Sequence, residues 1–393
     1  MPAPKTTNKG GVMRVVGVDP SKKWLLCYLK TSKKEKILKI PNEKKGWDKL
    51  LKMSPGVVFI EGASNSYVRP FVSYLLKNNV KVKNIAPFHN ARIREVISES
   101  KDDVKDARAC AFIGKYLPEK TGEIKGDELL LQYVSFRKYL IERKVAAVER
   151  LQGLLDMLWV DYKKYFPQIE SSWCLNFLKN YPSPECIGNI DWSVVFPPKL
   201  SVKIKNNIKD RFREVPEVYI SRELAGYLKE EIKFLVEDIL RLIQQIKDID
   251  SRIKDHINNS EDYRKLLTFP GIKETSAAVI LAYINSRNFR GVNHFLAYSG
   301  LVPLRIQTGS QPVYTRKRKR YNRELQNIFV MLAFRLSQSH PISKKYYERK
   351  LNEKKRKMTA IWSLARQLAK IIYIMAIKKK NIGTRNQPLE LIR

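Results

Sequence analysis

Soft-metal and thiol chemistry have little to work with in this chain. Among 393 residues there are four cysteines and four histidines. Cys27, Cys110, Cys174 and Cys186 stand far apart with no CxxC pair. A disulfide framework and a structural zinc site are therefore disfavoured, and buried free thiols are expected. The histidines form no HExxH pattern, and His89 and His294 read as satisfied loop or core residues rather than ligands. No GxGxxG follows the first apolar run, which leaves a dinucleotide without an obvious site. No apolar run looks long enough to span a bilayer. The opening MPAPKTTNKGG has no apolar signal-peptide core. A cytoplasmic location and no membrane partner are expected. Acids are scarce as well: 39 stand against 75 Lys and Arg, a formal net charge of +36. Solubility does not require such an excess. It suits a polyanion, because each neutralised phosphate releases a counterion.

What is present is enough for a folded protein of two or three domains: the hydrophobic fraction is 44%. After a flexible basic tail (1–12), residues 13–125 read as alternating strands and helices. Strands are expected at Val15–Asp19, Trp24–Leu29, Lys36–Ile40, Val57–Glu61 and Val82–Ile85. Helices are expected near Trp47–Lys52, Val68–Lys77, Asn90–Val96 and Val104–Tyr116. Three strands followed by alternation suggest a mixed α/β sheet of RNase H-like (RuvC-like) type rather than a dinucleotide-binding one. Residues 126–262 read as helical. Leu140, Ala147, Leu151, Leu154 and Leu158 share a helix face, and a proline-broken stretch follows from Trp173 to Glu217. Leu228, Ile232, Leu235, Ile239, Leu242, Ile246, Ile249 and Ile253 then alternate spacings of four and three, the a/d seam of a coiled coil. That seam fits either a fold-back onto the Leu140–Leu158 helix or a dimer. A third, mainly helical unit is expected over 263–380, with a basic tail at 381–393.

Two acids close buried apolar runs, where a carboxylate is costly without a partner: Asp19 and Glu61. Asp103 and Asp106 stand three apart at a helix start, so both can point the same way. If the first and fourth strands are neighbours, all four converge at one sheet edge. Converging carboxylates repel one another unless a cation is present, and this set suits one or two Mg²⁺, or Mn²⁺, for phosphoryl transfer. Taken singly, each acid is better explained as an ordinary structural group, and it is the combination that favours a site.

A second constellation is basic. Gly300–Ser310 precedes Tyr314–Arg323, in which Arg316, Lys317, Arg318, Lys319, Arg320 and Arg323 suit a phosphate backbone and Tyr314 and Tyr321 suit base stacking. Arg305 lies in the same loop, and Thr308 and Ser310 flank Gly309, so either hydroxyl could act as a nucleophile there. Glycine-loop hydroxyls are also ordinary turn formers. Phe269-Pro-Gly271-Ile-Lys273 between two helices reads either as a phosphate-binding hairpin or as a packing corner.

These residues resemble the DEDD transposases of the insertion-sequence family numbered 110, the bridge-RNA-guided recombinases. The matching stretches are Gly17-Val-Asp19-Pro-Ser-Lys22-Lys23, Ile60-Glu61-Gly-Ala-Ser-Asn-Ser-Tyr67-Val-Arg69-Pro, Lys101-Asp-Asp103-Val-Lys-Asp106-Ala-Arg108, Phe269-Pro-Gly-Ile and Phe295-Leu-Ala-Tyr-Ser-Gly-Leu-Val-Pro303. The resemblance implies a RuvC-like domain that holds Mg²⁺ through Asp19, Glu61, Asp103 and Asp106. It also implies a C-terminal domain whose serine becomes linked to DNA. DNA and a structured guide RNA would be the partners, with Lys22, Lys23, Tyr67, Arg69, Gly271 and Lys273 among the nucleic-acid contacts. A homo-oligomer, dimer or tetramer, would be nucleoid-associated in the cytoplasm. Two positions depart from the family pattern: Thr308-Gly309 replaces Ser-Gly, and Tyr321 replaces a usual glycine. Threonine keeps the hydroxyl but adds a methyl group that narrows its rotamers. Thr308 is then the nucleophile, or Ser310 takes over, or this copy is inactive. The readings from other classes are a non-catalytic RNA- or DNA-binding protein and a RuvC-like nuclease without a covalent intermediate.

Overall fold

The computed structural model describes residues 15–30, 35–63, 65–97, 102–124, 127–188, 190–287, 289–306, 314–316 and 319–377. The chain forms a mixed α/β sheet domain followed by a mainly helical region. Its compact units are Met1–Asp127 with Tyr283–Tyr321, and Glu128–Ala282 with Asn322–Arg393.

The first unit opens with β1 (Val15–Pro20), β2 (Trp24–Lys30), β3 (Glu35–Pro41) and α1 (Lys44–Leu51). It continues with β4 (Val57–Glu61), α2 (Arg69–Lys77), β5 (Lys81–Ile85), α3 (Pro87–Ile97), α4 (Asp103–Tyr116) and β6 (Thr121–Glu123). The sheet order is β3-β2-β1-β4-β5-β6. β1 runs antiparallel to β2 and parallel to β4, with Gly17 opposite Phe59 and Val18 opposite Ile60. Side chains alternate between faces along a strand. Val16, Val18, Val58 and Ile60 therefore enter one core with Leu50, Phe71, Val72 and Leu75 of α1 and α2. Phe59 and Tyr28 face the other side, among Cys110, Ile113, Ala107 and Ala111 of α4.

Two glycines let α4 approach this second face. A Cβ on Gly17 would lie 2.1 Å from the Ala107 carbonyl oxygen and 2.5 Å from the Ala111 nitrogen. A Cβ on Gly114 would meet the Phe59 ring at 2.4 Å. At Gly17 the contact is with helix backbone, which admits no side chain, whereas at Gly114 it is with a ring. Asp102 starts the helix by accepting a hydrogen bond from the Lys105 N–H at 2.9 Å, and at the far side Arg108 of α4 pairs with Glu35 of β3 at 2.8 Å.

The helical elements continue with α5 (Glu128–Leu158), α6 (Tyr162–Tyr165), α7 (Ser172–Asn180), α8 (Trp192–Val195), α9 (Val202–Arg211) and α10 (Arg222–Ile257). The 36 residues of α10 span about 54 Å at 1.5 Å per residue. Leu228, Ile232, Ile239, Leu242, Ile249 and Ile253 of the heptad series are buried, whereas Leu235 and Ile246 are half-buried and Val236 enters the core instead. The helix lies against α5 of its own chain. Arg137–Asp250 at 2.5 Å, Arg143–Asp238 at 3.7 Å and Arg150–Glu231 at 2.7 Å run in opposite order along the two helices, which are therefore antiparallel. An aromatic cluster around Trp159, Phe166, Phe177 and Phe212 closes one end, with the Trp159 indole N–H donating to the Pro182 carbonyl at 2.9 Å.

The remaining elements are α11 (Glu261–Leu267), α12 (Glu274–Asn285), α13 (Val292–Tyr298), β7 (Leu304–Ile306), β8 (Tyr314–Arg316), α14 (Arg323–Ser339), α15 (Pro341–Asn352) and α16 (Lys357–Ile377). One expectation needs correction here. By length and composition α16 is apolar enough to cross a bilayer, although no such run stood out in the sequence. Of its most apolar window 61% is buried, against α11, α14 and α15, which is the setting of a core helix. The expected loop from Gly300 to Arg323 also contains the two-stranded β7–β8 pair.

Candidate active site on the sheet edge

Strand alternation decides where the acids point. Asp19 shares a face with Gly17, and Glu61 shares one with Phe59, so both belong to the side covered by α4. Each directly follows the last registered pair of β1 and β4, Val18 with Ile60. The carboxylates therefore leave the ends of adjacent parallel strands. The close approach at Gly17 brings the first turns of α4 over the same edge. Asp106 is 7% exposed there, while Asp103, one turn earlier, is exposed to solvent.

Electrostatics give an independent sign of convergence. Burial raises the Cys110 thiol well above its ordinary range, and the charges of Glu61, Asp19 and Asp106 raise it further. Three of the four expected carboxylates thus act electrostatically on one buried thiol, which sits one turn beyond Asp106 on α4. Burial alone pushes Cys27 up to about 12. Neither thiol is a reactive nucleophile.

Helix α3 supplies partners that sequence reasoning did not find. The Asn90 amide, fully buried, donates to the Glu61 carboxylate and accepts from the Cys110 thiol at 3.5 Å. Arg94 donates to Asp106 at 3.2 Å, in a pair whose side chains are only 17% and 10% exposed. Asn90 and Arg94 lie four apart on one helix face. No sequence motif marks them, because their importance depends on where α3 packs.

The donor set is oxygen-only, the kind that a hard divalent cation takes. By kind and by position along the edge, Asp19, Glu61 and Asp106 fit such a cation, while Asp103 is exposed one turn earlier on α4. As arranged here, Arg94 and Asn90 engage two of the acids, and among the described residues no three acidic, His or Cys side chains close into a ligand cage.

The other expected contacts are placed as follows. Lys22 and Lys23 are exposed in the turn between β1 and β2. Beyond Glu61, Gly62 takes a left-handed φ of +63°, and Asn65 receives the chain as it turns into α2. Tyr67 and Arg69 are half-buried at that entry, with the Tyr67 carbonyl held by Asn42 at 3.0 Å. Gly271 has φ +79°, a Cβ there would lie 2.8 Å from Leu332, and its carbonyl accepts from Arg335 at 3.5 Å. Gly271 thus packs closely on α14, with Lys273 exposed beside it. Arg305 and Arg316 lie on β7 and β8, where Arg305 is opposite Thr315 and Leu304 opposite Arg316. Thr308, Ser310, Lys317 and Arg318 lie outside the described residues. Lys319, Arg320 and Arg323 are exposed, and Asn322 caps α14 by accepting from the Leu325 N–H at 3.0 Å. Phe88, at the start of α3, lies between two guanidiniums: Arg92 at 4.2 Å and Arg320 at 4.9 Å. Arg320 is thereby placed on the helix that carries Asn90 and Arg94.

Residues 16–160 match the model of the DEDD transposase family of IS110 type, and residues 263–348 match the IS116/IS110/IS902 transposase family. The chain belongs to the IS110 family of transposases. It is also 23% identical over 288 residues to an uncharacterized 43.6 kDa protein of insertion element IS110 from Streptomyces coelicolor. That alignment covers 70% of this chain and 71% of the relative. The four acids and both ends of α4 fall inside the first matched segment, and most of α11, α12 through α14 and most of α15 inside the second.

Proposed function

We propose that this IS110-family transposase cuts and rejoins DNA strands through an RNase H-like domain in which Asp19, Glu61, Asp103 and Asp106 hold Mg²⁺ or Mn²⁺. The observation that carries the reading is that Asp19 and Glu61 leave the ends of the adjacent parallel strands β1 and β4 on the face that α4 covers, where Asp106 is buried at the start of that helix. When bound, the cation would supply Lewis-acid polarisation of the scissile phosphate and relieve the repulsion among the acids. The chain's own part is to aim the carboxylates from two strand ends and one helix start, with Asn90 and Arg94 holding Glu61 and Asp106 in orientation. Thr308 is the proposed nucleophile and Ser310 the alternative. DNA is the substrate, a structured non-coding RNA chooses the target, and a homo-oligomer, dimer or tetramer, does the work. The net charge of +36 supports two polyanionic partners.

The test is a trapping assay. The protein is incubated with flanking DNA of its element, co-expressed RNA and Mg²⁺, and a denaturation-resistant protein–DNA adduct is sought and mapped. An adduct at Thr308 is expected, and one at Ser310 moves the nucleophile. Asp19→Asn should abolish strand transfer and leave RNA binding intact; full transfer by that variant removes Asp19 from the chemistry. A second reading, binding without catalysis, draws on the Arg94–Asp106 pair, since an acid neutralised by a resident guanidinium can be purely structural. It predicts RNA binding with neither adduct nor cleavage in any divalent metal.

A further inference from the structure

Residues 161–262 fall in neither matched family segment. Within them the second unit holds a cleft of about 380 Å³, lined by Gly188, Ile190, Trp192, Lys209, Phe212 and Arg213 among others. It is a shallow, open surface rather than an enclosed cavity. One wall is aromatic. The Trp192 indole stacks on Phe196 with centroids 5.0 Å apart and planes 17° apart, and meets Phe212 edge-on at 5.8 Å. The rim is cationic. Lys209 Nζ lies over the Trp192 ring, 5.9 Å from its centre, and Lys205 Nζ over the Phe196 ring at 6.0 Å, so a stacking base would displace the Lys209 ammonium toward its own phosphate. Residues 199–213 contain six Lys and Arg and a single acid, Asp210, which pairs with Arg213 at 2.7 Å.

A flat aromatic surface beside exposed ammonium and guanidinium groups suits a ligand that has both a π face and a negative charge. An unpaired nucleotide has both. A duplex keeps its base faces stacked inside, and a lipid headgroup or acidic peptide would satisfy the cations but leave the indole unused. We propose that this cleft holds an unpaired base of a single-stranded nucleic acid, with the ring against Trp192 and its phosphates on Lys209 and Arg213. The proposal rests on the nucleic-acid reading above and adds a site outside the acid edge and the basic loop.

The experiment measures binding of the full chain to a fluorescent single-stranded RNA, a single-stranded DNA of the same sequence, and the corresponding duplex. Trp192→Ala tests the stacking wall. Because Trp192 also packs on the aromatic core, Gly188→Leu is the companion variant: Gly188 lines the cleft and a Cβ there meets nothing within 4 Å, so the added side chain is expected to narrow the cleft and leave the fold intact. Each variant should weaken single-strand binding about tenfold and leave duplex binding unchanged. A loss seen with RNA assigns the cleft to a guide strand, and a loss confined to DNA assigns it to a displaced strand. Single-strand affinity equal to wild type in both variants overturns the proposal while the nucleic-acid reading stands. An equal loss for the duplex also overturns it, because the cleft would then be only a phosphate-binding surface. If the wild-type chain binds none of the three probes at low salt, the broader reading fails and the cleft fails with it.

Discussion

Glycines in the sheet domain and in the long helices serve opposite ends. Gly17 and Gly114 lie where α4 touches the sheet, and an added Cβ at either would penetrate neighbouring atoms. Gly153 of α5 and Gly226 of α10 are exposed, and a Cβ on either meets nothing within 4 Å. The acid edge is thus set by backbone-to-backbone approach, which tolerates no insertion. The antiparallel helix pair is set by a stripe of buried side chains and by ion pairs on its flanks, and it has slack on the outside. A site that must hold carboxylates in register needs the first kind of packing, and a long scaffold can use the second.

The contrast can be broken most sharply at Gly17. Gly17→Ala drives a methyl group into the α4 backbone and should cost about 3 kcal/mol or more, with loss of whatever activity the acid edge supports. Gly114→Ala should cost less, because the Phe59 ring can move where a helix backbone cannot. Urea unfolding of the two variants checks the ranking, and a Gly17→Ala protein as stable as wild type would remove the close approach as the device that places Asp106. In the long helices the sign reverses. Gly153→Ala and Gly226→Ala should each stabilise by roughly 0.5–1 kcal/mol, because alanine loses less backbone entropy in a helix. A destabilised variant would show that these glycines are contacts after all.

The smallest effect concerns the exposed cluster that ties α4 to β3. Hydrogen bonds from Tyr28 first and Lys30 next, with a further contribution from Arg108, hold the Glu35 carboxyl at about 2, below its ordinary 4.5. A depressed carboxyl contributes stability above its unfolded value, and this is lost as pH falls through the folded one. Glu35→Gln should therefore be slightly less stable than wild type at neutral pH. The difference should fade between about pH 4.5 and 2 and shrink in high salt. A gap that persists to the lowest pH would assign the effect to packing.

Much of the sheet was legible because each strand is a short apolar run ended by turn residues. The expected Val57–Glu61 coincides with β4, and Val15–Asp19 differs from β1 by one residue. Among the missed elements, β6 is Thr-Gly-Glu, β7 and β8 are three residues each, α15 is too polar to show a clear stripe, and α13, though apolar, has only seven residues to show a period. On the site side, Asp19 and Glu61 were visible because a carboxylate that closes a buried run is costly. Asn90 and Arg94 were not, since nothing in PFHNARIREVI distinguishes them from ordinary surface polar residues.

The sequence by itself determined the ends of the strands, the acids that stand there, the a/d stripe of α10 and the excess of positive charge. These are local or additive properties, read from alternation, spacing and composition. The tertiary structure decided that α10 lies on α5 of its own chain, that Asp106 is buried while Asp103 is not, and that Asn90 reaches Glu61 across 29 residues of chain. Such pairings depend on which strands are neighbours and how closely a helix crosses them. Here that crossing turns on missing side chains at Gly17 and Gly114.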